Sequence, residues 1–143
     1  MENYEAVAKS RLKDWEVLSN EKKKVGAIHF GGIVIECMLK GIICSEYPGI
    51  VEDGHNWIDG AISTSRPSHD IDSTRYRTWL EDIYDDMTPD VSANLTYVAK
   101  PEGKSYIDYR YVPEEDVSDT VFEKWEEAFL SVYCYIIEKQ NDL

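Results

Sequence analysis

A histidine, a glutamate and a lysine lie along one line of an otherwise apolar helix: His29, Glu36 and Lys40 within residues 25–44, VGAIHFGGIVIECMLKGIIC. At about 100° per residue, Glu36 and Lys40 fall within about 20° of His29 on the helical wheel. Imidazole exchanges protons near neutral pH, and a carboxylate beside an ammonium pairs with it or helps hold a ligand. Ionisable groups in such a setting are costly unless partnered, so the line predicts partners on neighbouring helices. Glu36 and Lys40 stand i, i+4 in the favourable order for an ion pair. Arg11, also set in an apolar face, is the natural second cation. One reading is a buried structural network in which Arg11 and Lys40 satisfy Glu36. The other is an anion site, for a group such as phosphate, that Arg110 joins. His29 reads as a satisfied core or interface histidine, because nothing in the sequence identifies a reacting group for it to serve as base.

Other chemistry-bearing residues are less organised. His55 and His69 flank a long connection that also carries Glu52, Asp53, Asp59, Asp70 and Asp72. Their spacings match no defined metal motif, so neither metal nor cofactor is expected. His69 approaches the anion set if the third and last helices are neighbours. The candidate ligand-binding residues are therefore Arg11, Glu36, Lys40, His69 and Arg110. Tyr106, Tyr109, Tyr111 and Trp57 stand beside Lys100, Lys104 and Arg110, either to cover the open end of a helical bundle or to stack unpaired nucleotides. Gly31-Gly32 lies inside the helix, where glycine permits close helix approach rather than phosphate contact. No nucleophile with an activating partner is recognisable, so no catalytic residue is assigned. Glu114-Glu115-Asp116 reads as a solvated helix start.

Composition narrows the classes. The chain of 143 residues fits one domain spanning 1–143. Its net charge of −13, from 28 acidic and 15 basic side chains, disfavours non-specific nucleic-acid binding. The 3 cysteines form no CxxC pair and read as small apolar side chains in a reducing, cytoplasmic setting. The start, MENYEAVAK, has neither a basic segment nor an apolar run of the secretory kind. Residues 25–44 are long enough to cross a bilayer, but three ionisable residues and four glycines favour a core helix and no membrane contact. Asn94-Leu95-Thr96 matches a glycosylation acceptor, which the absence of a secretory start makes a chance match.

The elements that must position these residues are mostly helical. A first helix runs from about Glu2 to Leu18, with Tyr4, Val7, Ala8, Trp15 and Leu18 on one face. The apolar helix follows from about Lys23 to Ser45 and ends at Tyr47-Pro48-Gly49. In the connection 48–70, Trp57, Ile58, Ala61 and Ile62 fit a helical turn. Tyr76, Trp79, Leu80, Ile83, Tyr84 and Met87 predict a continuous third helix, capped by Asp70, Asp72 or Ser73. Ser92 to Val98 fits a short helix, and Tyr106 to Val112 alternates as an extended segment. Ser118 is the predicted N-cap of the last helix, which runs to about Lys139 behind the acidic lead-in from Pro113. The expected fold is all-α, an up-and-down bundle of four to five helices.

The segment AKSRLKDWEVLSNEKKKVGAIHFGGIVIECMLKGIIC resembles the front half of a HEPN domain. The residues that carry the resemblance are Ala8, Arg11, Leu12, Asp14, Gly26, Ala27, Gly31, Glu36, Cys37, Leu39 and Lys40. Ser68-His69-Asp70-Ile71 is similar to the His-Asp-Leu that opens that family's third helix, and Tyr109-Arg110-Tyr111-Val112-Pro113 to its Arg-Tyr-x-Pro. Residues 48–65 and 90–105 match least. The resemblance implies a helical bundle that dimerises and works in bacterial toxin–antitoxin or defence systems, often beside a nucleotidyltransferase. Some members are metal-independent ribonucleases that carry Arg, four to six residues, then His. Here no histidine follows Arg110, and Arg66 precedes His69 by too little. The expectation is a non-catalytic, dimerising module acting with a partner such as a nucleotidyltransferase. The alternatives are a ribonuclease toxin with a non-standard site, or a nucleotide- or RNA-binding module.

Overall fold

A computed structural model describes residues 2–141. Among them are six α-helices and one small three-stranded sheet. Helix α1 (Tyr4–Asn20) opens on Asn3, whose side-chain oxygen accepts from the Ala6 amide at 3.1 Å. It closes in a Schellman-type turn: the Lys23 amide donates to the Leu18 carbonyl at 2.8 Å and the Lys22 amide to Ser19 at 3.0 Å. That turn holds Lys22 at φ 56° and reverses the chain into α2 (Lys24–Glu46). The pair is antiparallel: Gly26 near the start of α2 faces Leu18, and Gly41 near its end faces Tyr4 and Glu5.

Helix α2 is the centre of the fold. It has the length and hydropathy to cross a membrane, yet 72% of its most apolar window is packed inside the protein. Its glycines are seats for large side chains. A Cβ on Gly31 would stand 2.2 Å from the Trp125 ring, and one on Gly32 would stand 2.1 Å from the Tyr106 ring. The expected role of Gly31-Gly32 in close approach therefore holds, with aromatic rings rather than a helix backbone as the visitors.

The connection after α2 is an antiparallel meander, not a helical turn. Strands β1 (Val51–Asp53), β2 (Asn56–Asp59) and β3 (Ile62–Ser65) pair in the order β1-β2-β3. Gly54 and Gly60 take φ of 63° and 58° at the two reversals, a conformation glycine adopts without strain. Trp57 on β2 is fully buried and anchors the sheet to the core, its indole N–H donating to Glu52 at 2.9 Å.

The predicted third helix is broken. Helices α3 (Thr74–Trp79) and α4 (Glu81–Asp85) meet at Leu80, which has φ −126° and ψ 45°. The apolar pattern is still used, since Tyr76, Trp79, Leu80, Ile83 and Tyr84 are all buried. Across the break the polar tips go to separate partners: the Trp79 indole to Thr64 on β3, the Tyr84 hydroxyl to the Ile71 carbonyl. Ser73 is the N-cap residue of α3, without a side-chain capping bond.

Helix α5 (Pro89–Ala99) contains the short helix expected at Ser92–Val98 and is capped by Thr88. Residues 106–111 form a 3-10 turn rather than an extended segment. Its period of about three residues turns Tyr106 and Tyr109 inward together and leaves Tyr111 75% exposed. Helix α6 (Asp119–Asn141) begins after Ser118, whose hydroxyl accepts from the Val121 amide at 3.1 Å, as predicted. Trp125, Phe129, Val132 and Ile136 are its buried face.

One acidic residue has a different role from the solvated one expected. The Glu114 carboxylate accepts from the Lys24 and Val25 amides at 2.9 and 2.8 Å and so caps α2, whose own N-cap, Lys23, makes no side-chain bond. A carboxylate there meets both the unpaired N–H groups and the positive end of the helix dipole.

Candidate functional site

The polar line of α2 is built into the core. Glu36 and Lys40 are each 6% exposed. Lys40 Nζ donates to Glu36 Oε2 at 2.7 Å and also lies 5.5 Å over the Tyr4 ring. The other carboxylate oxygen, Oε1, receives two donors, the Tyr106 hydroxyl and His69 Nδ1, the latter at 2.6 Å. A carboxylate only accepts, so this contact places the His69 ring proton on Nδ1. Burial alone would raise the Glu36 pKa, but the bond from His69, the Lys40 charge and the bonds from Lys40 and Tyr106 outweigh it and hold the carboxyl below its ordinary value. The same charge, added to burial, pushes the Tyr106 phenol far above its ordinary range, which keeps it a donor.

His69 reaches Glu36 because its loop is clamped from behind. The Tyr76 hydroxyl donates to the Ser68 carbonyl and the Tyr84 hydroxyl to the Ile71 carbonyl, each at 2.6 Å. The loop backbone is thereby fixed on both sides of residue 69, while the His69 side chain remains 56% exposed.

Tyr106 links this interior to a second imidazole. His29 Nδ1 donates to the Tyr106 carbonyl at 3.3 Å, and the His69 ring meets the Tyr106 ring edge-on at 6.5 Å. His29 is held below its ordinary pKa by burial and then by the nearby charges of Arg110 and His69, against the opposing effect of the Tyr106 carbonyl. Both histidines thus use Nδ1 inward, and neither Nε2 has a protein partner among the described residues. Arg110 closes this face. It is exposed, lies 4.8 Å over the Tyr111 ring, and makes no ion pair with a carboxylate among the described residues.

The structure sorts the predicted residues into separate places. Glu36, Lys40 and His69 come together. Arg11 does not join them: its Nε forms an ion pair with Asp14, three residues along its own helix, at 3.3 Å, and its guanidinium lies 5.6 Å over Phe30. Arg110 is not bonded to Glu36 either, since the 3-10 turn sends Tyr106 inward and leaves Arg110 on the surface. His55 sits exposed on the first hairpin. No group of three or more His, Cys, Asp or Glu side chains that could hold a metal gathers among the described residues. Cys37 is buried with its thiol pushed up to about 11, chiefly by desolvation, whereas Cys134 is exposed on α6 rather than packed. Tyr106, expected only as a cover for the bundle end or a stacking ring, is instead a donor to Glu36. Its signal was the glycine at position 32, which makes room for a ring.

A groove of about 470 Å³ lies elsewhere, between α1, α2 and α6, with Leu12, Val34, Met38, Ile42, Tyr133 and Ile137 among its walls. Glu5, Lys9, Ser45 and Gln140 also line it, and none of the polar cluster does. Comparison with protein-family models, curated proteins and solved structures returned no match.

Proposed function

We propose that this chain is a HEPN-like helical module without catalysis of its own, cytoplasmic and dimeric, that acts with a partner such as a nucleotidyltransferase in a bacterial toxin–antitoxin or defence setting. The observation that supports it is the commitment of Glu36. Both carboxylate oxygens are engaged by Lys40, Tyr106 and His69, so the buried ionisable cluster serves to hold α2, the 66–73 loop and the 106–111 turn together. A general base needs a free lone pair facing a reacting atom, and Glu36 is only 6% exposed, with a donor on each oxygen. The groove between α1, α2 and α6 supplies apolar surface that a second copy would cover. Light scattering behind size exclusion is expected to give twice 16.5 kDa. The same sample is expected to leave single-stranded RNA intact with or without chelator. A monomer at micromolar concentration removes the dimer from this reading, and robust cleavage removes its non-catalytic part.

One observation favours a second reading, a ribonuclease with a non-standard site. His29 and His69 flank the same tyrosine with free Nε2 atoms, and acid–base cleavage of RNA needs two proton-transfer groups. Metal-independent cleavage that disappears in His69→Ala and in His29→Ala would establish it.

A further inference from the structure

We propose that His69 is a site of covalent phosphorylation, its Nε2 taking a phosphoryl group from a donor of the phosphoramidate class while the buried Glu36 holds its Nδ1. A nucleophilic imidazole needs a lone pair, access to the donor and a group that fixes its tautomer. His69 meets all three needs. Its Nδ1 lies 2.6 Å from Glu36 Oε1, so the proton of the neutral ring is on Nδ1 and the lone pair is on Nε2. The His69 side chain is 56% exposed, whereas the Glu36 side chain behind it is 8% exposed. The backbone is set as well. The Ile71 amide donates to the His69 carbonyl at 3.0 Å, inside the loop that the Tyr76 and Tyr84 hydroxyls clamp.

The other two histidines lack this arrangement. His55 is exposed, and its ring makes no hydrogen bond among the described residues. His29 is half-buried, and its Nδ1 donates at 3.3 Å to the Tyr106 carbonyl, an acceptor without a full charge. That difference matters as the new bond forms. Nε2 attacks phosphorus, and the donor's phosphorus–nitrogen bond breaks with its electron pair leaving on the amine nitrogen, already protonated in the donor. Nothing is oxidised or reduced. Nδ1 keeps its proton, so the ring becomes a phosphorylated imidazolium. Glu36, charged at neutral pH, stabilises that cation across the 2.6 Å contact. Acyl transfer would call for an oxyanion hole. Phosphoryl transfer, with its loose transition state, asks chiefly for a positioned nucleophile, which Glu36 and the clamped loop supply.

Such a modification depends neither on a partner protein nor on RNA cleavage. The test is incubation of the intact protein with phosphoramidate itself, followed by peptide mapping without acid. His69 is expected to be phosphorylated first, at Nε2 by phosphorus NMR. Its rate should exceed those of His55 and His29 by at least about tenfold, the effect of one charge-assisted hydrogen bond on a barrier. Nitrogen NMR of the unreacted protein is expected to show the proton of neutral His69 on Nδ1. Glu36→Gln keeps an acceptor for Nδ1 without the charge, and should slow His69 by about tenfold while leaving His55 unchanged. In urea, where the contact is lost, the three histidines of the wild type should react alike, which carries the test if the variant does not fold. His55 reacting as fast as His69 in the folded protein, phosphate on His69 Nδ1, a folded Glu36→Gln at the wild-type rate, or a His69 preference that survives in urea would each overturn the proposal.

Discussion

The two sides of Tyr106 differ in how completely their polar groups are used. On the inner side, Glu36 is surrounded by three donors and excluded from water. On the outer side, His29, His69 and Arg110 each keep a polar edge unused by protein. In the low dielectric of the core an unpaired charge is so costly that the network must be complete, whereas at the surface water satisfies what the protein leaves open. Completeness marks the inner side as structural. Incompleteness leaves the outer side open to water.

The largest effect is expected from breaking the inner side. Glu36→Ala strands the buried Lys40 ammonium and should destabilise the fold by about 3–5 kcal/mol in urea unfolding. A loss below about 0.5 kcal/mol, the range of ordinary surface substitutions, would show that the network is not buried in solution. Gly32→Ala tests the link between the sides. Its Cβ would fall 2.1 Å from a fully buried ring, so Tyr106 must move and draw its hydroxyl from Glu36 and its carbonyl from His29. Overpacking of this kind costs about 1–3 kcal/mol, and the His29 ring resonance should shift as well.

Acid titration separates the sides by pH window. Glu36 lies below its ordinary 4.5 in the folded protein, so the unfolded chain takes up that proton first; its contribution is present above about pH 4.5 and is lost as pH falls further. His29 lies below its ordinary 6.5, so the unfolded chain again binds the proton first, and that contribution fades as pH drops below about 6.5. Urea midpoints measured from pH 8 to 3 should therefore fall in two stages. Glu36→Gln should flatten the lower stage, and His29→Gln the upper. A single stage unaffected by His29→Gln would place that histidine in water. The smallest stability effect belongs to the outer side: Arg110→Ala should change unfolding by no more than about 0.5 kcal/mol, and a larger loss would make Arg110 part of the scaffold.

Much of the helical frame was legible because it depends on local pattern. The i, i+3, i+4 spacing, the Ser118 cap and the all-round apolarity of α2 are written in neighbouring residues, and they marked α1, α2, α5 and α6 to within a few positions. The meander at 51–65 was missed because Trp57 and Ile58 were read as helical, although Gly54 and Gly60 were available as hairpin signals. The pairing of Glu36 with Lys40 was likewise readable, being four residues along one helix.

The sequence alone determined that α2 would be a buried helix and that its glutamate would need a cation, since burying an unpaired carboxylate is prohibitive wherever the helix packs. Only the tertiary structure decided which groups completed the set. Tyr106 lies 70 residues from Glu36 and His69 lies 33, and Glu114 caps α2 from 90 residues away. No periodicity encodes such contacts, because they arise when separate elements pack and each orphaned donor or acceptor takes the nearest partner that the packing brings within reach.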